Sequence, residues 1–211
     1  MSSSTDSTLK IACVCASNMN RSMEAHAQLL KYGMQKVSSY GTGKKVKIPS
    51  VHPLEVLSFD FGDKYADIAK YLRTQGEDFY NELGMLDLLE RNSKIKPSPN
   101  RFQNEKQVDF DIVLTFEARV FEEVVVDMSS RAPLHHRQCH VINIETKDDS
   151  DGAVLGGRMA VELVQACKVS PDLDSDIFLI VQAFHERYAN PTGEGDKMRV
   201  FGAFMHNIVA V

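Results

Sequence analysis

The stretch Leu9-Lys10-Ile11-Ala12-Cys13-Val14-Cys15-Ala16-Ser17-Asn18-Met19-Asn20-Arg21-Ser22 decides the fold. Leu9 to Cys15 is short, mostly apolar and rich in β-branched residues, the pattern of a buried strand. Ala16 to Asn20 is loop-like. From Arg21 the period turns helical: Met23, Ala27, Leu30 and Met34 recur at spacings of three or four, and Gly33 stands near the stop. A buried strand, a tight loop and a helix in that order open an α/β fold.

Outward from this stretch the alternation continues. Val37 to Tyr40 reads as a second strand, closed by Gly41-Thr42-Gly43, and Lys44 to Pro49 as a short basic extended piece. Val51 to Phe61 has no clear period and reads as loop. Lys64 to Arg73 and Asp78 to Asn92 look helical, with Gly84 dividing the second. Prolines force Ile95 to Pro99 to be extended. Phe110 to Phe116 is a strong buried strand. Glu117 to Met128 is a helix with acidic residues toward its start, where the macrodipole favours them. Ser129 to Gln138 is a polar loop, Cys139 to Glu145 a strand and Lys147 to Gly152 an acidic loop. Ala153 to Val169 is an amphipathic helix with Leu155, Met159, Leu163 and Cys167 on one stripe. Asp174 to Tyr188 is a last helix, followed by a glycine-rich tail that turns apolar from Val200. The pattern predicts an α/β fold, a parallel central sheet with helices on both faces. Residues 1–8 form a polar tail and 9–211 a single domain. In such a sheet ligands bind beyond the carboxyl ends of the strands.

Composition narrows the class. A chain of 211 residues can bury one sizeable core. Its 43% apolar and 25% charged residues exclude wholesale disorder. A net charge of −5 excludes a generally basic nucleic-acid binder. No apolar run approaches the ~18–20 residues of a membrane helix, and the opening residues lack a secretory signature. Four cysteines without a Cys-x-x-Cys pair argue against a disulfide scaffold and a zinc knuckle, and for a reducing compartment.

Cys15, five residues, Arg21 and Ser22 are the parts of a cysteine-dependent phosphate-ester hydrolase. A free thiol titrates near ~8.5, but a helix N-terminus and a guanidinium lower such a group to ~3.5–7.5. Ala16, Ser17, Asn18, Met19 and Asn20 can curl into a nest whose amides face a dianion. Arg21 closes the ring with planar, bidentate donors. Ser22 can donate to the Cys15 sulfur, and Asn18 tolerates a left-handed backbone. The spacing alone arises by chance; its place between strand and helix gives it meaning. Cys13 has no arginine at that spacing and reads as core, as does Cys167; Cys139 could be either. A general acid is also needed. Asp148, Asp149 and Asp151 follow the strand ending near Glu145, at the carboxyl edge beside Cys15; a solvated acidic turn is the alternative for each.

The run Val14 to His26 resembles the active-site signature of the small phosphoserine phosphatase family of the mRNA cleavage and polyadenylation machinery. Ser39 to Gly43, Val46 to Pro49, Arg91-Asn92, Ile95 to Pro97, Arg101 to Gln103, Phe110 to Thr115 and His140 to Asn143 agree, so the resemblance spans roughly residues 9–189. It implies a core like that of low-molecular-weight tyrosine phosphatases, with family-specific cap insertions. It implies hydrolysis of phosphoserine before a cis proline in the carboxy-terminal domain of RNA polymerase II, chiefly at the fifth heptad position, in the nucleus. It implies no metal and no cofactor, no direct nucleic acid, and a symplekin-type scaffold as partner. It places the acid on Asp148, a second acidic position on Glu145, and a substrate groove on Lys47, Ile48, Pro49, Tyr80, Met85 and Leu88. The family often has Ser where Ala16 stands, and the tail from Asn190 is longer than is usual there. Competing readings are a tyrosine phosphatase, an arsenate reductase, and a phosphopeptide-binding scaffold with little turnover. The first is disfavoured because low-molecular-weight tyrosine phosphatases carry their acid in an Asp-Pro pair late in the chain, and this sequence has no Asp-Pro.

Overall fold

In a computed structural model, which describes residues 9–106, 109–131, 138–189 and 200–201, the chain opens with β1 (Ile11–Cys15), all of whose residues are buried. There follow α1 (Arg21–Lys31), β2 (Val37–Gly41), β3 (Val46–Pro49), β4 (Val56–Phe59), α2 (Tyr65–Glu82) and α3 (Met85–Ile95). Then come β5 (Ile112–Thr115), α4 (Ala118–Ser129), β6 (His140–Ile144), α5 (Ser150–Val169), α6 (Leu173–Ala189) and β7 (Val200–Phe201). The polar tail 1–8 and most of the chain after Ala189 lie outside the described residues, as does the greater part of the 129–138 loop.

The main sheet has the order β2-β1-β5-β6-β7. Its first four strands are parallel, and β7 pairs antiparallel on the β6 edge. The order reverses at β1: the chain steps from β1 to β2, then crosses back to β5. A crevice opens at such a switch point, beyond the carboxyl ends of the strands. The loops after β1, β5 and β6 therefore share one edge.

Alternation along the strands splits the interior. Cys13, Leu114 and Ile142 meet Leu29, Leu163 and Phe184 on the face of α1, α5 and α6. Val14, Val113 and Val141 meet Val120, Val124 and Phe102 on the face of α4. A separate cluster joins α2, α3 and the β3–β4 pair through Ile48, Tyr65, Leu72 and Leu89, and it includes Met19 and Met23. The cap is thus packed directly on the first loop and helix.

Several boundaries differ from the sequence reading. Part of the expected loop at 51–61 is β4, paired antiparallel with β3. Its side chains alternate between exposed and half-buried, so its apolar signal is weak. The two expected helices at 64–92 divide elsewhere: α2 continues to Glu82, kinked at Gly76 where the backbone leaves helical dihedrals. Leu30 is exposed, and α1 buries Met23, Ala25, His26 and Leu29 instead, because it is covered by both the sheet and the cap. Leu155 also stands at the surface, where α5 approaches α1 so closely that a Cβ on Gly157 would lie 2.6 Å from Gln28 Nε2. Cys13, Cys139 and Cys167 are all buried and free.

Two predictions follow from this packing. A Cβ on Gly41 would stand 2.7 Å from the Ala16 carbonyl and 2.9 Å from the Asn18 amide. Gly41→Ala should lower stability by about 1–3 kcal/mol, as overpacking does, read as a lowered urea midpoint. His26 is buried, its Nδ1 2.9 Å from Ser39 Oγ. Burial, then the Lys96 charge, pushes its pKa from 6.5 down to about 4. The unfolded chain therefore binds this proton first, and stability falls as pH drops from 6.5 through about 4. The full shift is worth roughly 3 kcal/mol. His26→Gln should lose less stability than the parent between about pH 7 and about pH 5, measured by urea unfolding; equal acid losses would refute the assignment.

Candidate active site

β1 delivers Cys15 to the carboxyl edge of the sheet, and the chain turns through Ala16 to Asn20 before α1 begins. Asn18 makes this turn with φ +54°, a left-handed conformation that asparagine tolerates. It is fully buried, and its side chain is engaged at both ends. Nδ2 donates to Ser22 Oγ at 3.1 Å, and Oδ1 accepts from the Asn100 amide at 3.0 Å. The loop carbonyls point away from its centre. Cys15 O accepts from Thr42 N and Ala16 O from Gly43 N, both at 3.0 Å. Asn18 O accepts from Tyr65 Oη at 2.7 Å, and Met19 O from Asn92 Nδ2 at 2.8 Å. Among the described residues, the amides of residues 16–20 donate to no protein acceptor. Each of these outward carbonyls turns the next amide the other way, so those of Ala16, Ser17, Met19 and Asn20 suit an anion nest beside the N-terminus of α1.

The Cys15 sulfur lies 3.0 Å from Ser22 Oγ and is almost wholly enclosed. Asn18 Nδ2 donates to one lone pair of that hydroxyl, whose proton is available to a sulfur anion. The other three thiols have no such setting. Burial, then the Cys15 charge, pushes Cys13 far above the ordinary thiol range. Burial, then Asp111, pushes Cys139 up to about 12, and burial alone does the same for Cys167. All three act as small apolar side chains.

Arg21 is 4% exposed. Nη1 donates to the carbonyls of Phe116 and Thr146, both at 3.0 Å. Nη2 donates to Glu117 Oε2 at 2.8 Å and to Asp148 Oδ2 at 3.2 Å. The Nε–H is buried and has no protein partner among the described residues. Burial disfavours the Glu117 carboxylate, but the Arg21 hydrogen bond and charge, with Arg119, outweigh it and hold its pKa below the usual value.

Of the three candidate aspartates, Asp148 is the one drawn to the loop. Oδ1 accepts from Asn20 Nδ2 at 3.1 Å, and the side chain is 59% exposed. Asp149 instead caps α5, accepting from the Gly152 amide at 2.7 Å. Asp151 lies exposed in the first turn of α5. Glu145 accepts from Asn143 Nδ2 at 2.8 Å.

The expected groove positions divide. Lys47 and Pro49 are exposed on β3, and Met85 and Leu88 are half-buried at the cap surface. Ile48 and Tyr80 are enclosed in the cap core, and Tyr80 Oη donates to Pro49 O at 3.1 Å. The sequence reading gave no role to Glu117, Tyr65, Arg91, Asn92 or Asn100. Glu117 carried a signal of its own, an acid at the carboxyl end of a predicted strand on the edge where Cys15 emerges, and Arg91-Asn92 stood among the runs of the family resemblance without a role. Among the described residues no cluster of three or more His, Cys, Asp or Glu could hold a metal, and no helix is long and apolar enough to cross a membrane.

Known proteins share the sequence and the fold of this chain. The chain matches the Ssu72-like protein family over residues 9–192. The RNA polymerase II C-terminal domain phosphatase SSU72 of Gallus gallus is 41% identical over 181 residues, covering 86% of this chain and 92% of the relative. Its Homo sapiens counterpart is 40% identical with the same coverage. The solved serine phosphatase of the RNA polymerase II CTD from Drosophila melanogaster superposes with a TM-score of 0.81 at 41% identity, over 85% of this chain and 93% of that one. Drosophila melanogaster Ssu72 with Symplekin, bound to a cis peptidomimetic of the CTD that carries phosphoserine-5, gives 0.80 at 40% identity, with the same coverage of both chains. The chain belongs to the Ssu72-like protein family.

Proposed function

We propose that the chain is a protein phosphatase that removes phosphate from serine before proline in the carboxy-terminal domain of RNA polymerase II, through a phosphocysteine on Cys15. The observation that carries this reading is the junction of Cys15, the outward-turned loop carbonyls and the Arg21–Asp148 contact at one sheet edge. Support for the substrate comes from the relatives, named as phosphatases of that domain, and from the cis phosphoserine-5 ligand of the Drosophila protein. The same reading takes a symplekin-type scaffold as partner and the nucleus as the place of action.

The chemistry follows from the positions. The phosphate sits in the nest, its equatorial oxygens on the loop amides and the free Nε–H of Arg21. The Cys15 sulfur attacks phosphorus in line as the bond to the serine oxygen breaks. Protonated Asp148 supplies the leaving oxygen with a proton; its contacts to Asn20 and Arg21 hold it beside the loop, and its exposure gives the ester access to it. Ser22 supports the sulfur through its hydroxyl. In the second step the Asp148 carboxylate takes a proton from water as that water attacks phosphorus, and the phosphorus–sulfur bond breaks. Phosphate leaves and the Cys15 thiolate is restored. Lys47 and Pro49 with Met85 and Leu88 offer a basic and apolar border to the peptide.

Hydrolysis of heptad phosphopeptides locked in cis or trans tests this. The wild type should release phosphate from the cis peptide, and Cys15→Ser should release none. Asp148→Asn should lose about 10²–10⁴ in kcat, the usual range for a general acid. Undiminished turnover in Cys15→Ser would sink the mechanism. A wild type that binds the peptide tightly without turnover would favour a scaffold, and preference for phosphotyrosine would favour a tyrosine phosphatase.

A further inference from the structure

The carbonyls that face away from the nest are held by two different parts of the molecule. Those of Cys15 and Ala16 are held by Thr42 and Gly43, just after β2. Those of Asn18 and Met19 are held by side chains of the cap. Tyr65, at the start of α2, donates to Asn18 O at 2.7 Å. Asn92, on α3, donates to Met19 O at 2.8 Å, and Arg91 Nη2 donates to the same oxygen at 3.3 Å. Arg91 is itself fixed: its Nε and Nη2 donate to Asn92 Oδ1 at 3.1 and 2.9 Å, and its Nη1 pairs with Glu24 on α1. Tyr65 and Asn92 are wholly buried. Burial and the nearby Cys15 charge push the Tyr65 phenol upward, so it stays an O–H donor.

A trans peptide unit is planar, with its C=O and N–H pointing in opposite directions. Holding Asn18 O outward therefore turns the Met19 amide inward, and holding Met19 O outward does the same to the Asn20 amide. We propose that Tyr65, Arg91 and Asn92 are positioning residues for phosphate transfer: from the cap they fix two peptide planes of the phosphate loop so that their amides face the anion. This rests on the function proposed above. None of the three needs to touch substrate. The same α3 carries Met85 and Leu88 in its first turn, so the helix that borders the peptide also sets the shape of the nest.

The test uses the full chain with Tyr65→Phe, which removes one hydroxyl and keeps the ring, with Asn92→Ala, and with Arg91→Lys, which keeps the charge and loses the fork. Three quantities are read: inorganic phosphate affinity by calorimetry, kcat and KM on 4-nitrophenyl phosphate, and melting temperature. Tyr65→Phe should weaken phosphate binding about tenfold, equivalent to ~1.4 kcal/mol. Its kcat should fall by at least that factor while it melts as a folded protein. Arg91→Lys should fall with it, because geometry and not charge is required. Wild-type phosphate affinity and kcat in Tyr65→Phe and Asn92→Ala, with only the melting temperature lowered, would overturn the proposal. So would wild-type behaviour of Arg91→Lys, for Arg91. Phosphate binding is read without turnover. A wild type that binds phosphate but leaves heptad peptides intact defeats the proposed function, while the variants' phosphate affinities still decide this inference. A wild type that binds no phosphate defeats both.

Discussion

A guanidinium enclosed to 4% exposure must be neutralised where it lies, and the site is built around that requirement. Arg21 opens α1. The groups that satisfy it come from the ends of two other strands: Phe116 O and Glu117 follow β5, and Thr146 O and Asp148 follow β6. One cation thus locks three neighbouring loops at the switch point of the sheet. Two carboxylates balance it, one partly enclosed and one largely exposed. The enclosed partner holds the arginine in place. The exposed one can exchange, which is what the proposed mechanism asks of its acid.

Much of this was legible in the primary structure, and the limits are instructive. The sequence Cys15 to Ser22 could be read because its parts are local: thiol, loop amides, guanidinium and hydroxyl lie within one short stretch of chain. The parallel sheet could be read because β1, β5 and β6 are apolar throughout. Residue type alone narrowed the acid to three aspartates, and the family resemblance pointed to Asp148 among them. Geometry separates them, since Asp149 is spent on capping α5 while Asp148 meets Asn20 and Arg21. The strand β4 escaped notice because a hairpin covered on one side has half a pattern. Tyr65 and Asn92 escaped because their partners are backbone carbonyls 47 and 73 positions away. No residue type announces a bond to a distant main-chain oxygen.

The molecule therefore has two interiors with one shared wall. The sheet and its helices form the larger, and α2, α3 and the β3–β4 hairpin form the smaller. Met19 and Met23 belong to the smaller, although they sit in the loop and helix that the sheet presents. Each interior contributes half of the grip on the loop carbonyls, so neither alone defines the anion site. Cys13, close behind the Cys15 sulfur on the same strand, is held as a thiol by burial first and the Cys15 charge second.

The placement of the cap within the chain has its own consequence. It occupies the crossover from β2 to β5, whose ends are pinned on either side of β1. A parallel crossover must travel over a sheet face in any case, and lengthening a connection adds little closure entropy. Such a segment can lengthen, shorten or exchange its helices while both anchor strands keep their register. The cap surface is therefore a module free to diversify among descendants of this architecture. The exceptions are the few positions where it reaches back to the loop, which diversification cannot alter without loosening the nest.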